Sequence, residues 1–332
     1  MNTQHGFGLP DRQEGKPRFV IPSAYFGLGG YSKPVFPRLD ALFQGHYSFR
    51  LPCLPLTIFD FDEAPAEVTV DGQSFSTQPY LKSLPKKVLL DVTRKLRRHD
   101  TKVVAFMERF RPYVALQHVH AVDAPGLNLF MQGGNLVWRL VWETHVLPEI
   151  KAQLHHLHPA PHTREELERR GMAVSNRSVI WVIAGGGSTT GPTGLIPMLC
   201  ELKRLKPPQT NLFAVVFTPR SYRDKTQQHR VKGRAIFRAT MEQLLAIYDG
   251  REFDQPYGTD GYRISLNEEP FDQLFLVDGS LSGGRTELKS DELADLVALF
   301  LFKLTVGSIG EQFLSIIGNL NPTIKEENHE VE

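Results

Sequence analysis

The chain has 332 residues, 41% hydrophobic and 23% charged, the proportions of a globular protein long enough to bury a sizeable core. Its formal net charge of +1 gives no bulk field toward nucleic acid or an anionic membrane, and no apolar run reaches the roughly 18–20 residues that span a bilayer. Two cysteines, Cys53 and Cys200, exclude a disulfide framework and read as reduced thiols of a cytoplasmic protein.

Residues 1–17 are rich in Gly, Pro and charge and lack an apolar core, so they read as a flexible leader and not as a signal peptide. Arg18–Phe26, RFVIPSAYF, reads as a strand that runs into a glycine turn at Gly27, Gly29 and Gly30. A helix is expected over Pro34–Gln44, with Val35, Leu39, Leu42 and Phe43 at helical spacing. Leu54–Phe61, LPLTIFDF, reads as a second strand with acids at Asp60 and Asp62, and Val68–Phe75 as a hairpin turning at Asp71-Gly72. Pro85–Arg98 has the pattern of a basic amphipathic helix with a solvated face. Val103–Phe106 and Val114–Val119 are weaker apolar runs, the second with His118 and His120, which read as structural.

Asn135–His156 reads as one long helix. The following HHLHPAPH reads as a solvated loop; His155, His156, His158 and His162 lack the nearby Cys or carboxylate ligands of a zinc site, and no metal held by protein ligands alone is expected. Thr163 to Glu166 has capping-box spacing and predicts a short helix starting there. Val179–Ala184 is the third strand. It leads into Gly185, Gly186, Gly187, Ser188, Thr189, Thr190 and Gly191, then a helix over Leu195–Leu205. Leu212–Phe217 is a fourth strand, Lys232–Tyr248 a helix, and Phe271–Val277 a fifth strand. Gly279, Gly283 and Gly284 read as a connection, and Asp291–Leu314 as a long helix capped by Ser290. Residues 319–332 are expected to form an acidic, disordered tail. Strand, glycine turn and helix in alternation predict an α/β fold: a Rossmann-like three-layer parallel sheet with helices on both faces.

Two glycine turns after two strands of one parallel sheet point to phosphate. Glycine lets the backbone come close to a ligand, successive N–H groups form an anion nest, and a helix N-terminus adds partial positive charge. Gly186 and Gly191 have P-loop spacing, but Pro192 stands where the phosphate-pairing lysine must be. The first turn lacks the last glycine of a dinucleotide fingerprint, and Asp60 and Asp62 lie farther along than its usual carboxylate at ~20 residues. Ser188 and Thr190 have no nucleophile elbow around them.

AGGGSTTGPTG resembles the signature loop of the tubulin and FtsZ superfamily, GGGTGSG or GGGTGTG, with Thr189 off the pattern. A β-branched residue resists positive φ, so the loop is expected either to take another path at Thr189 or to hold phosphate less well. FGLGGYSKPVFPRL, LTIFDFD, QGGNLVWRLVWETHVLPEIKAQL, FAVVFTPRSYR and SDELADLVALFLF resemble other family segments in the family's order, over about residues 18–318. The chain is most like divergent bacterial tubulin-like proteins. The resemblance implies a nucleotide-binding domain over 18–318 that binds GTP or GDP, with Mg²⁺ entering through the nucleotide. Its phosphates would lie on Gly27, Gly29, Gly30 and the 185–191 loop, Asp60 and Asp62 near the nucleotide or Mg²⁺, and Pro219 and Asp295 at ribose and base. It also implies self-association or other protein partners.

The family continues past a central helix, here 291–314, into a second domain whose first loop supplies the acids that polarise the attacking water. That domain is expected to be absent, leaving Glu326 as a weak catalytic candidate and GTPase activity low or nil. The helix at Lys232–Tyr248 has no asparagine where the family's guanine-binding asparagine stands, and Tyr31, Ser32 and Lys33 make the first loop bulky. These departures keep a second reading open: a non-catalytic tubulin-like scaffold with a degenerate pocket, serving in a larger bacterial complex.

Overall fold

The computed structural model of the protein describes residues 18–70, 72–85, 88, 91, 92, 94, 95, 98, 100–113, 131–222, 227–258, 261–280 and 288–327. The strands are Arg18–Val20 (β1), Ser23–Leu28 (β2), Leu56–Asp60 (β3), Glu67–Val70 (β4), Gln73–Ser76 (β5), Leu81–Ser83 (β6), Met172–Val174 (β7), Ser178–Gly185 (β8), Thr210–Phe217 (β9), Phe253–Pro256 (β10), Arg263–Leu266 (β11) and Gln273–Val277 (β12). The helices are Val35–Tyr47 (α1), Thr101–Glu108 (α2), Met131–Val141 (α3), Leu147–His155 (α4), Pro161–Arg169 (α5), Thr190–Leu205 (α6), Gln227–Tyr248 (α7), Ser290–Thr305 (α8) and Ser308–Glu327 (α9).

Six strands form one sheet in the order β12-β9-β8-β2-β3-β6, and every adjacent pair is parallel. Side chains alternate across it with the strand period of two. Ile180, Val182 and Ala184 of β8 enter one core, while Val179, Trp181 and Ile183 enter the other. Leu212, Ala214 and Val216 of β9 face the first core, and Phe213, Val215 and Phe217 the second. Helices α3, α6 and α7 cover the first face through residues such as Trp138, Leu199 and Leu244; α1 and α8 cover the second through Phe36, Leu39 and Leu301. Each fully buried Leu or Phe contributes about 1.5–3 kcal/mol, so both faces of the sheet are strongly held. The fold is the expected α/β parallel sheet with helices on both sides.

Several elements differ locally from expectation. The strand over Arg18–Phe26 is two, because Pro22 has no N–H for a ladder: β1 pairs with β7, and β2 joins the main sheet. The hairpin forms as β4 and β5, with Gly72 at φ 78. The run at Val103–Phe106 lies in α2, capped by Asp100, whose Oδ1 accepts from Lys102 N at 3.1 Å and Val103 N at 3.2 Å. Most of the expected basic helix, and all of 114–119 with His118 and His120, lie outside the described residues, as do Gly283 and Gly284.

The long helix expected over Asn135–His156 is interrupted by a π segment at Trp142–Val146, where Leu147 N donates to Trp142 O. The cause is Pro148, which cannot donate and whose ring crowds the carbonyl four residues back. Helix α5 starts at Pro161, with Ala160 as N-cap and no side-chain cap; proline preset for the first turn outweighs the capping box expected at Thr163. Helix α6 begins at Thr190, five residues before the apolar pattern does.

The helix expected over 291–314 is two helices. It ends at Thr305, Gly307 takes φ 84, and α9 resumes at Ser308 and runs to Glu327, through residues expected in the tail. Lys289, not Ser290, holds the N-cap position of α8, its N–H donating to Glu292 Oε2 at 2.7 Å.

Candidate functional site

The site is set by topology. From β2 the chain moves outward to β3 and β6, then returns to the other side of β2 as β8 and continues to β9 and β12. The strand order therefore reverses between β2 and β8, and ligands of open α/β sheets sit at the carboxyl ends of strands at such a point. Helix α1 leaves β2 on one face of the sheet, and α6 leaves β8 on the other. Both glycine turns fall at the carboxyl ends of these two strands.

The glycines are there because the two turns and their surroundings touch. Gly29 takes φ 81, and a Cβ there would stand 3.0 Å from Thr190 Cβ and 3.4 Å from Gly191 N. A Cβ on Gly191 would meet the Gly185 carbonyl oxygen at 2.3 Å; one on Gly186 would meet Phe237 at 2.4 Å and Phe217 O at 3.0 Å. Gly27 is closed by Ser32, whose Oγ donates to Gly29 O at 2.7 Å. Gly30 differs: it is exposed, and a Cβ there would meet no atom within 4 Å. Gly187, Ser188 and Thr189 are half-buried and complete the rim, with Ser188 Oγ donating to Gly185 O at 3.3 Å.

Thr189 resolves by taking another path. It sits as N-cap of α6 at φ −91, ψ −50, with no positive φ. Gly134 of α3 makes room for it: a Cβ on Gly134 would lie 2.9 Å from Thr189 Cγ2. Thr193 Oγ1 donates to Thr189 O at 2.6 Å and fixes the first turn of α6.

Beneath the rim lies a buried ionic cluster that sequence reasoning missed. Lys33 Nζ stands 3.0 Å from Asp60 Oδ2, and both side chains are 6% exposed. The same ammonium donates to the carbonyls of Asp62 at 3.1 Å and Ala64 at 2.8 Å. Thr190 Oγ1 donates to Asp60 Oδ1 at 3.0 Å. Asp60 thus links the first loop, through Lys33, to the second, through Thr190. Asp62 points outward, its side chain 67% exposed and 3.7 Å from Lys33. The signal available in the sequence was a lysine between a glycine turn and the start of a helix.

The other anticipated residues have the following local settings. Pro219 opens a short 3₁₀ turn after β9, held by Ser221 Oγ donating to Val277 O at 3.1 Å. Asp295, in the second turn of α8, is ion-paired with buried Arg38 of α1, which also reaches Asp291 at 3.3 Å. Tyr31 packs on Phe217 at the end of β9, ring centroids 5.8 Å apart. Glu326 falls in the last turn of α9, and its side chain lies outside the described residues. Among the described residues, no three His, Cys, Asp or Glu side chains converge as a metal-ligand set.

No family model and no curated protein matches the chain. It is similar to solved structures of CetZ from Methanosaeta thermophila, at 13% identity and TM-score 0.42, covering 86% of this chain and 55% of that one. For the GTPgS-bound protofilament of CetZ2 from Haloferax volcanii the values are 12%, 0.42, 85% and 57%. For the GDP-form protofilament of Bacillus thuringiensis serovar israelensis TubZ they are 11%, 0.38, 86% and 55%. The chain spans little more than half the length of each.

Proposed function

We propose that the protein binds a guanine nucleotide, GTP or GDP, as a tubulin/FtsZ-like nucleotide-binding protein. The phosphates would rest on Gly27, Gly29, Gly30 and the 185–191 loop, with Mg²⁺ carried on them. The supporting observation is the meeting of two glycine turns, Gly29 against Thr190 and Gly191, where the strand order reverses. A glycine turn at a helix N-terminus suits an anion.

The chain's own residues then have distinct roles. Thr190 donates inward to Asp60 and holds the loop; Ser188 and Gly30, on the rim, face the phosphates. Pro219 and Asp295 flank ribose and base. Asp60 is neutralised by Lys33, which removes the buried acid beside the loops from service as a base, and hydrolysis needs a base within reach of an oriented water. We therefore expect weak or no GTPase activity from this chain alone, and self-association, where it occurs, through the nucleotide face. Isothermal titration with GTP, GDP and ATP tests the binding.

A second reading has its own support. Tyr31, half-buried with its ring tilted against Phe217, adds bulk beside the first loop, and Lys33 donates to Asp60 and two carbonyls. Both suit a scaffold whose glycine turns hold no nucleotide, and absence of binding by all three nucleotides would favour it.

A further inference from the structure

Beneath the first turn of α6, on the face of the sheet covered by α3 and α7, lies a cavity of about 270 Å³. Pockets for drug-sized ligands run to ~300–1,000 Å³, so its occupant is small. Its wall is mixed. Tyr113, Ile196 and Phe253 give it an apolar side; Asn135, Gln243 and Arg139 give it a polar one.

Arg139 is the informative residue. It is 2% exposed and sits between two aromatic rings, its guanidinium carbon 4.8 Å from the Tyr113 centroid and 4.5 Å from that of Tyr257. Nη1 donates to Pro256 O at 2.7 Å, and Nη2 donates to Gln255 Oε1. Both acceptors are neutral, and among the described residues the buried Nε–H has no partner. A buried charge ordinarily has a counter-charge, because desolvating it alone is costly. A guanidinium fork with unspent donors matches a carboxylate bidentately.

We propose that this cavity is a binding site for a small carboxylate with a planar apolar body. The carboxylate would pair with Arg139, and the body would lie against Tyr113, Ile196 and Phe253. The cavity meets the first turn of α6 through Pro192 and Thr193, and the proposal stands whether or not nucleotide binds at the glycine turns.

The probe is benzoate, with benzamide as its neutral counterpart, each followed by saturation-transfer NMR on the full chain. Benzoate should bind at least about tenfold more tightly than benzamide. Arg139→Gln should remove that preference. Because Arg139 also ties α3 to β10, Ala239→Trp is the companion variant: Ala239 is exposed at the cavity wall, so a large ring there obstructs the cavity without disturbing Arg139. It should weaken benzoate binding at least about tenfold while leaving the circular dichroism spectrum unchanged. Equal binding of benzoate and benzamide, no binding of benzoate, or unchanged benzoate binding in Ala239→Trp would overturn the proposal.

Discussion

Lys33 Nζ and Asp60 Oδ2 lie 3.0 Å apart with both side chains 6% exposed, and this ion pair joins the loop after β2 to the end of β3. Through Thr190, which donates to the other oxygen of Asp60 at 3.0 Å, it also reaches the loop after β8. The site is therefore built on a buried salt bridge, and its two glycine turns are not independent.

Removing one member strands the other charge. Asp60→Asn and Lys33→Met should each destabilise the protein by about 3–5 kcal/mol. The double variant should lose less than the sum, because it leaves no orphaned ion. Urea denaturation of the four proteins measures this; additive losses would mean the pair is not coupled.

Of Gly27, Gly29, Gly30, Gly186 and Gly191, four pack against neighbours and Gly30 is open. Gly191→Ala places a methyl 2.3 Å from the Gly185 carbonyl oxygen, so it should destabilise by about 1–3 kcal/mol or prevent folding, as overpacking does. Gly30→Glu meets no neighbouring atom at its Cβ and should change stability by no more than about 0.5 kcal/mol. Its carboxylate would face the phosphates and should weaken nucleotide binding by about tenfold or more. Thermal unfolding and nucleotide titration of the two variants separate packing from binding.

Both thiols are buried, and burial pushes Cys53 up to about 12 and raises Cys200 further. Raised values mean that folding disfavours the thiolate. The associated stability is fully present below the ordinary thiol range of about 8.5 and falls as pH climbs from there toward 12. The stability advantage of the wild type over Cys53→Ala should accordingly shrink between pH 8 and pH 11 in urea titrations. An advantage that is constant or grows with pH would contradict the burial argument.

The central sheet was legible because its strands carry continuous apolar runs, as buried parallel strands do: Val179–Ala184 and Leu212–Phe217 fall within β8 and β9. The short strands β6, β7, β10 and β11 were not, since three or four residues give no period to read. Breaks were harder than elements. Pro148 and Gly307 each interrupt an otherwise continuous helical pattern, and periodicity alone carries the eye across them.

At the site, the glycine turns announced themselves by composition. The adaptation of Thr189 did not, because it depends on Gly134, which is distant in sequence. Nor did the Lys33–Asp60 pair, whose members come together only when β2 and β3 align. Arg139 is a charge within an apolar helical pattern, and only the cavity and its neutral partners make it more than a surface residue.

Binding of a guanine nucleotide at the carboxyl ends of β2 and β8 is measured by isothermal titration of the purified chain with GTP, GDP and ATP in the presence of Mg²⁺. GTP and GDP should bind saturably, with ATP at least about tenfold weaker, and Gly30→Glu should lose that binding. No binding of any of the three, or binding that Gly30→Glu leaves unchanged, would contradict it.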